Sequence, residues 1–108
     1  MMAWIILCFA GLLEIGWAMG LKLSDGFTRL VPTVLTLALA VFSIYLVGLS
    51  ARSIPVGTAY AVWAGIGAVG TVIFGIVIFA EPVSLMRMAC VGLIVAGIVG
   101  LKLVDGSA

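Results

Sequence analysis

The sequence predicts an all-α integral membrane protein with four transmembrane helices in each chain. Of its 108 residues, 66% are hydrophobic and 8% are charged, whereas about a quarter of the residues in a soluble domain are charged. The mean hydropathy is +1.48. Four apolar segments, near residues 3–21, 33–50, 57–80 and 85–103, each approach the ~20 residues that cross a bilayer as a helix. We therefore expect residues 1–108 to form a single four-helix transmembrane domain.

Prolines and short loops separate the four segments. Pro32, Pro55 and Pro82 each lie at a boundary, where a proline can begin a helix but cannot continue one. The short loops leave no room for a second domain, so any function must be built from helices in the membrane. The first segment is not expected to be a cleaved signal peptide, because it lacks a basic start and an acid interrupts its apolar run.

That acid, Glu14, is the one charged residue placed inside a segment, while the other eight lie at segment ends. An ionised side chain near the bilayer centre costs on the order of 3 kcal/mol or more, and intramembrane acids are therefore functional by default. A carboxylate can bind a proton, or a cation in its place, and the two exclude one another. Glu14 thus predicts exchange of protons for a cation. The alternative is a protonated, hydrogen-bonded residue that only joins helices.

Helical spacing places other side chains near this acid. Glu14 and Trp17 share a broad face of the first helix, and Tyr60, Trp63 and Gly67 share a face of the third. The Tyr60 hydroxyl and the Trp63 indole N–H are donors that a buried carboxylate can use. In the second helix, Ser43 is the polar side chain expected near mid-depth. The alternative for the tryptophans is an interfacial aromatic belt, which suits Trp4 better than Trp63.

Glycine is concentrated in the third helix, at Gly65, Gly67 and Gly70. Because glycine weakens a helix and permits bending, the cluster predicts a deformable segment. Close packing against a neighbouring helix explains the same spacing equally well.

In the fourth segment, the stretch "MACVGLIVAGIVGL" has no polar side chain before Lys102, and the segment is interpreted as an assembly surface. Its small residues form one face, and small residues favour helix association in membranes. The face comprises Ala89, Gly92, Ala96, Gly97 and Gly100. Four short helices can hardly surround a solvated cavity, so we expect a homo-oligomer.

The loop charges show almost no bias between the two sides of the membrane. Arg52 and Lys102 fall on one side, and Lys22, Arg29 and Arg87 on the other. Since an excess of positive charge sets orientation, this balance permits copies that insert both ways and pair antiparallel.

Other classes of protein are disfavoured. The chain has no His, no set of metal ligands and no activated nucleophile, so neither an enzyme nor a metal or cofactor site is expected. Cys8 and Cys90 are interpreted as thiols within the spans rather than as a disulfide or a metal pair. A net charge of +1 without a basic patch gives no support to nucleic-acid binding.

Three stretches carry a family resemblance over nearly the whole chain. They are "GLLEIGWAMGLKLSDGFTRLVP", "SIPVGTAYAVWAGIGAVG" and "GLIVAGIVGLKL", and they resemble the small multidrug resistance transporters. Trp17 beside Glu14, together with "PVGTAYAVW" and "GIGAVG", is similar to the guanidinium exporter branch rather than to the branch that exports polyaromatic quaternary ammonium ions.

The resemblance implies a multi-pass transporter of a prokaryotic plasma (inner) membrane that works as an antiparallel, dual-topology homodimer. Glu14 of each subunit would be the carboxylate shared by proton and substrate. The residues that match the pocket and its hydrogen-bond network are Gly11, Trp17, Ser43, Tyr60 and Trp63.

The resemblance also assigns a conformational role, because Gly65 and Gly67 match a kink of the third helix that differs between the two subunits. The dimer contact is expected from the small-residue face of the fourth helix instead, at Gly92, Ala96, Gly97 and Gly100.

The sequence departs from the branch at Ala64, where a threonine is usual. The loss of this hydroxyl bears on substrate choice, since the apolar Val41, Phe42 and Ile44 could widen the site for alkylated cations.

The function expected from these features is proton-coupled export of guanidinium or a small guanidinyl cation across the lipid bilayer by alternating access, with proton and substrate competing for Glu14. Three alternatives stay open. They are export of small quaternary ammonium ions, a passive cation channel, and a structural subunit of a larger membrane complex.

Overall fold

The computed structural model describes residues 2–105 and folds them into four α-helices. In chain order these are α1 (Met2–Leu23), α2 (Leu30–Ser50), α3 (Val56–Phe79) and α4 (Leu85–Asp105). Each helix is long and apolar enough to cross a membrane, and residues 2–105 contain no strand. The predicted fold class, an all-α protein with four membrane-spanning helices per chain, is confirmed.

Two prolines lie at helix starts, and the largest difference from the expected bounds is found at one of them. α2 begins at Leu30, three residues before the expected 33, so Pro32 lies within its first turn. A proline is tolerated there because the first N–H groups of a helix have no partner inside the helix. Pro55 is the N-cap of α3, with φ −52° and ψ 137°.

The α3–α4 connection is short and tightly held. Ala80 ends α3 in the left-handed region, with φ 53°, and the Glu81 N–H donates to the Gly75 carbonyl at 3.3 Å. This bond satisfies a carbonyl that the helix end would otherwise leave open. On the other side of the loop, the Arg87 N–H donates to Ser84 Oγ at 3.1 Å and so caps α4.

A serine organises the turn between α1 and α2. The buried Ser24 hydroxyl donates to the Leu21 carbonyl at 2.7 Å and accepts the Phe27 N–H at 3.2 Å. Asp25, Gly26 and Phe27 all have positive φ, the conformation that reverses a chain within a few residues. The turn returns α2 alongside α1.

The helices form a thin layer with α1 at its centre. α1 packs against α2 and α3, α4 packs against α3, and α2 and α3 touch only briefly. The described chain measures 42 × 34 × 16 Å, and 16 Å is little more than the ~10–12 Å diameter of one helix with its side chains. Both broad faces of the layer are therefore open to lipid or to another chain.

The small hydrophobic core lies at the end of the layer where α1 and α3 begin. It consists of Trp4, Leu7, Ile54, Ala59 and Val62. Most other large apolar side chains are exposed, as expected for a surface that faces lipid rather than water.

Glycines allow α1 to approach its two neighbours closely. A Cβ on Gly11 would lie 2.7 Å from Ile66 Cγ2, and a Cβ on Gly70 would overlap Ile15. On the opposite side of α1, a Cβ on Gly20 would overlap the Thr36 hydroxyl of α2. Close approach through small residues is the usual way in which helices associate in a membrane.

Candidate functional site

The Glu14 side chain lies at the contact between α1 and α3, in the middle of the layer. Its carboxyl group is pressed against Gly67, where any Cβ would overlap Oε1. The Oε1 atom is buried and has no hydrogen-bond partner within residues 2–105. Glycine at position 67 therefore leaves room for a carboxyl group that the described chain does not neutralise.

Ser43 connects three helices about one helical turn away from the Glu14–Gly67 contact. Fully buried on α2, its hydroxyl donates to the Ala10 carbonyl of α1 at 2.8 Å and accepts the Trp63 indole N–H of α3 at 2.9 Å. The Tyr60 ring meets the Trp63 ring edge-on, with centroids 5.7 Å apart and planes at 60°. Ser43, Trp63 and Tyr60 are thus brought together as one connected group.

Trp17 and Gly11 occupy different surroundings on α1. Trp17 lies three residues after Glu14, and its indole Nε1 is buried without a hydrogen-bond partner in the described chain. Gly11 is buried against Ile66 of α3. Of these two residues, only Trp17 offers a polar group.

The site opens out of the protomer on the side of Tyr60, which is 62% exposed. The α2 side chains Val41, Phe42 and Ile44 are exposed as well. A single chain therefore builds one wall of a pocket and leaves the facing wall to lipid or to a partner.

The two glycines expected to form a hinge face different neighbours. Gly67 meets Glu14, whereas a Cβ on Gly65 would lie 2.8 Å from Ile98 Cδ1 of α4. α3 continues as an unbroken α-helix through both positions.

The small-residue face of α4 is open in the protomer. A Cβ added at Gly92, Gly97 or Gly100 would meet no atom within 4 Å among the described residues, and Ala96 is exposed. The face is free to receive a partner.

Sequence reasoning missed two buried threonines. Thr36 Oγ1 and Thr71 Oγ1 are both buried without a hydrogen-bond partner in the part of the chain that is described. Thr71 follows Tyr60 by eleven residues and Gly67 by four, so all three lie on one side of α3. The spacing of Thr71 from Tyr60 and Gly67 is the sequence signal that could have identified Thr71 as a residue of the site.

A charged cluster closes the opposite end of the layer from the hydrophobic core. Lys22 Nζ lies 3.3 Å from Glu81 Oε2, and Arg87 Nη2 lies 3.6 Å from Glu81 Oε1. The same Lys22 ammonium lies 4.9 Å from the centre of the Phe79 ring. The cluster joins the end of α1 to the α3–α4 connection, at the membrane surface and away from Glu14.

No metal site is evident between residues 2 and 105, where no group of three or more His, Cys, Asp or Glu residues is found. Cys8 and Cys90 are free and exposed on their helices.

The arrangement around Glu14 suits a small cation. Its carboxyl group is uncompensated within the described chain, and hydroxyl and aromatic groups lie on the neighbouring turns. A carboxylate attracts a cation most strongly where water is scarce, so this geometry is that of a cation-handling membrane protein.

The comparisons with known proteins agree with this class. The family model described as "Small Multidrug Resistance protein" matches residues 2–94. A "Guanidinium exporter" of Yersinia pseudotuberculosis is 59% identical over 102 residues, which cover 94% of this chain and 98% of the relative. Proteins of the same name from Citrobacter freundii and Proteus vulgaris are 56% and 52% identical over 102 residues, covering 94% of this chain and 97% and 98% of theirs.

The protein is a membrane transporter and not an enzyme. It belongs to the small multidrug resistance family. Its four apolar helices and its bacterial relatives make it a multi-pass protein of the prokaryotic inner membrane. The family expected from the sequence is confirmed.

Proposed function

We propose that this protein exports guanidinium or a small guanidinyl cation in exchange for protons. The observation that carries the proposal is the half-buried Glu14 side chain at the α1–α3 contact, whose Oε1 atom is buried and has no hydrogen-bond partner in the described chain. The relatives named guanidinium exporters support the choice of cation.

Guanidinium suits the groups found around Glu14. The ion is planar and carries N–H donors on every edge, so a carboxylate can hold one edge in a bidentate fork. Its face can rest on an aromatic ring, and Trp17 on α1 and Trp63 on α3 each lie about one helical turn from the Glu14–Gly67 contact, with Tyr60 one turn further. Ser43 keeps Trp63 in place through its hydrogen bond.

Coupling to protons follows from competition for one carboxyl group. A proton and a cation cannot occupy Glu14 together, so each displaces the other when the site opens to one side of the membrane and then to the other. Bending of α3 at Gly65 and Gly67 is the movement we propose for this alternation, because glycine lowers the resistance of a helix to bending.

An antiparallel homodimer completes the site in this proposal. The layer is 16 Å thick, the Tyr60 side of the pocket is open, and α4 buries none of its membrane span inside the protomer. A second copy related by a two-fold axis would supply the missing wall and a second Glu14, with α4 as the contact through Gly92, Ala96, Gly97 and Gly100.

Small quaternary ammonium ions are the second candidate substrates. Val41, Phe42 and Ile44 are exposed on α2, close in sequence to Ser43, and apolar side chains favour alkylated cations. Such ions have no N–H donor, so the hydrogen-bonding groups of the site would contribute nothing to their binding.

The test is made in proteoliposomes that contain only this protein. Internal pH is recorded after guanidinium is added outside, and then after tetramethylammonium is added. We expect guanidinium to drive protons out of the vesicles, and Glu14→Gln to abolish this movement because the amide cannot exchange a proton. The control is Glu81→Gln, which removes an acid outside the membrane and should leave exchange intact.

Each outcome decides between the candidates. A larger response to tetramethylammonium than to guanidinium would reverse the order of substrates. Guanidinium uptake without proton movement would indicate a passive channel. No response from a folded, dimeric protein would favour a structural subunit.

A further inference from the structure

Thr71 carries a hydroxyl group that has no role in the proposed transport cycle. Its Oγ1 atom is buried without a hydrogen-bond partner inside residues 2–105. A threonine within a helix usually donates to a carbonyl one turn earlier, and buried polar groups are nearly always paired. An unpaired hydroxyl inside a membrane protein therefore points to a partner that the isolated chain lacks.

The packing of α1 against α3 sets the position of Thr71 relative to the carboxyl group. Three contacts advance together along the two helices: Gly11 with Ile66, Glu14 with Gly67, and Ile15 with Gly70. The helices therefore run in the same direction. Thr71 comes one turn after Gly67, about 6 Å further along the axis at 1.5 Å per residue.

Thr71 also lies on the pocket side of α3. Tyr60, Gly67 and Thr71 are spaced by seven and four residues, which brings them to within about 40° of one another around the helix. Tyr60 marks the open side of the site, and Gly67 marks the Glu14 contact. α4 packs on a different side of α3, through Gly65.

The other polar groups of the site are less suited to accept a hydrogen bond. The Ser43 hydroxyl already donates to Ala10 and accepts from Trp63. The Trp17 indole is a donor only. The exposed Tyr60 hydroxyl and the buried Thr71 hydroxyl have no hydrogen-bond partner in the described chain, and Thr71 is the nearer of the two to Gly67 along α3.

We propose that Thr71 is a second cation-binding residue, whose hydroxyl oxygen accepts an N–H of the guanidinium group held by Glu14. This inference rests on the proposed function and names a further residue for it. A carboxylate fork occupies one edge of the ion and leaves N–H donors on the other edges. One helical turn, about 6 Å, is a distance that a small planar cation can bridge with a ~2.9 Å hydrogen bond at each end.

The proposal makes Thr71 a determinant of specificity. A site that hydrogen-bonds a donor discriminates strongly against an analogue that lacks it. Guanidinium can use the hydroxyl and a quaternary ammonium ion cannot. Loss of the hydroxyl should therefore weaken the handling of guanidinium selectively.

The experiment compares Thr71→Val, which keeps the shape and removes the hydroxyl, with Thr71→Ser, which keeps the hydroxyl. Thr58→Val is the matched control, because it removes a hydroxyl from another side of the same helix. The KM for guanidinium is measured in proteoliposomes, together with its inhibition by tetramethylammonium. For Thr71→Val we expect KM to rise roughly tenfold, the effect of losing a hydrogen bond to a charged group.

The expected pattern is specific. Thr71→Ser and Thr58→Val should keep a KM near the wild-type value. The inhibition constant of tetramethylammonium should be the same in Thr71→Val as in the wild type. A Thr71→Val protein with wild-type KM, or a Thr71→Ser protein that loses as much as Thr71→Val, overturns the proposal. So does a parallel loss of tetramethylammonium inhibition, which would show that the side chain only shapes the pocket.

Failure of this inference is distinguishable from failure of the proposed function. If wild-type protein exchanges protons for guanidinium and Glu14→Gln does not, the proposed function stands whatever Thr71→Val does. If Thr71→Val does not fold, Thr71→Ala is judged by the same criteria.

Discussion

At the scale of single residues, the site depends on the pairing of an acid with a glycine. The Glu14 carboxyl group occupies space that any side chain at position 67 would fill. The cost of placing a carboxyl group in the membrane is several kcal/mol, and here the fold keeps it at a helix contact where its surroundings are defined.

The first residue-scale prediction concerns Gly67→Ala. The new Cβ would overlap Glu14 Oε1 and push the carboxyl group out of place. We expect the initial rate of guanidinium exchange to fall on the order of 10- to 100-fold, since displacement by about 1 Å has effects of this size. Gly57→Ala is the control on the same helix, because a Cβ there meets nothing within 4 Å. Equal rates for the two variants would refute the prediction.

The second residue-scale prediction concerns Ser43→Ala. The change leaves the Trp63 indole N–H and the Ala10 carbonyl without their shared partner. We expect the free energy of unfolding in detergent micelles to fall by about 1–2 kcal/mol, and the fluorescence of the tryptophans to change. Ser53→Ala, at an exposed serine of the α2–α3 loop, should do neither. An unchanged free energy of unfolding in Ser43→Ala would show that the hydrogen bonds of Ser43 make no net contribution to stability.

At the scale of helices, α1 is the element that joins α2 to α3, since those two helices touch each other only briefly. It contacts α2 through Gly20 and α3 through Gly11 and Gly70. Thr36 of α2 is only 2% exposed and is directed at Gly20, so its oxygen lies against the α1 backbone. A groove of about 220 Å³ lies along this same α1–α2 contact.

The element-scale prediction is a double-mutant cycle. Gly20→Ala should destabilise the protein by about 1–3 kcal/mol, since the added methyl overlaps the Thr36 hydroxyl. In a Thr36→Ala background the overlapping atom is gone, and the next atom of residue 36 lies 3.3 Å from the new Cβ.

Unfolding of the four proteins in detergent measures the coupling. We expect the Gly20→Ala cost to fall by roughly 1 kcal/mol or more when Thr36→Ala is present, as for residues in direct contact. If the effects of Gly20→Ala and Thr36→Ala on the free energy of unfolding are strictly additive, the prediction is wrong. The added methyl would then be accommodated by separation of α1 from α2 and not by contact with the Thr36 hydroxyl.

At the scale of the whole molecule, one chain is a layer rather than a closed bundle. The hydrophobic core is confined to one end of the layer. At the other end, the ion pairs of Glu81 with Lys22 and Arg87 join the end of α1 to the α3–α4 connection. Between them the site opens sideways. α4 contacts α3 and presents its remaining surface outward, which is the arrangement expected of an element that meets a second copy.

The whole-molecule prediction concerns Gly97→Leu. The protomer has room for the new side chain, because a Cβ at Gly97 meets nothing within 4 Å. If α4 forms the dimer contact, the leucine separates the two copies. We expect dimer dissociation in liposomes to become about tenfold more favourable, or ~1.4 kcal/mol, as measured by single-molecule photobleaching. Gly48→Leu, an equally open glycine of α2, is the control. Wild-type dimerisation of Gly97→Leu would place the contact elsewhere.

The sequence by itself determined the four membrane helices, their order and the position of Glu14 as a lone acid within an apolar segment. These follow from local properties: a run of about 20 apolar residues commits a segment to the membrane, and a lone acid within such a run is costly wherever the helix turns. The motifs around Glu14, Tyr60 and Trp63 were sufficient to indicate the family.

The tertiary structure decided which side of each helix faces which neighbour. It placed Gly67 against Glu14 and Gly65 against α4, joined Ser43 to both Ala10 and Trp63, and brought Lys22 to Glu81 across 59 residues of chain. It also buried the hydroxyl of Thr71. The physical reason is that helices apolar on every side carry little periodic signal, so their rotation is set by the fit of glycines against larger side chains.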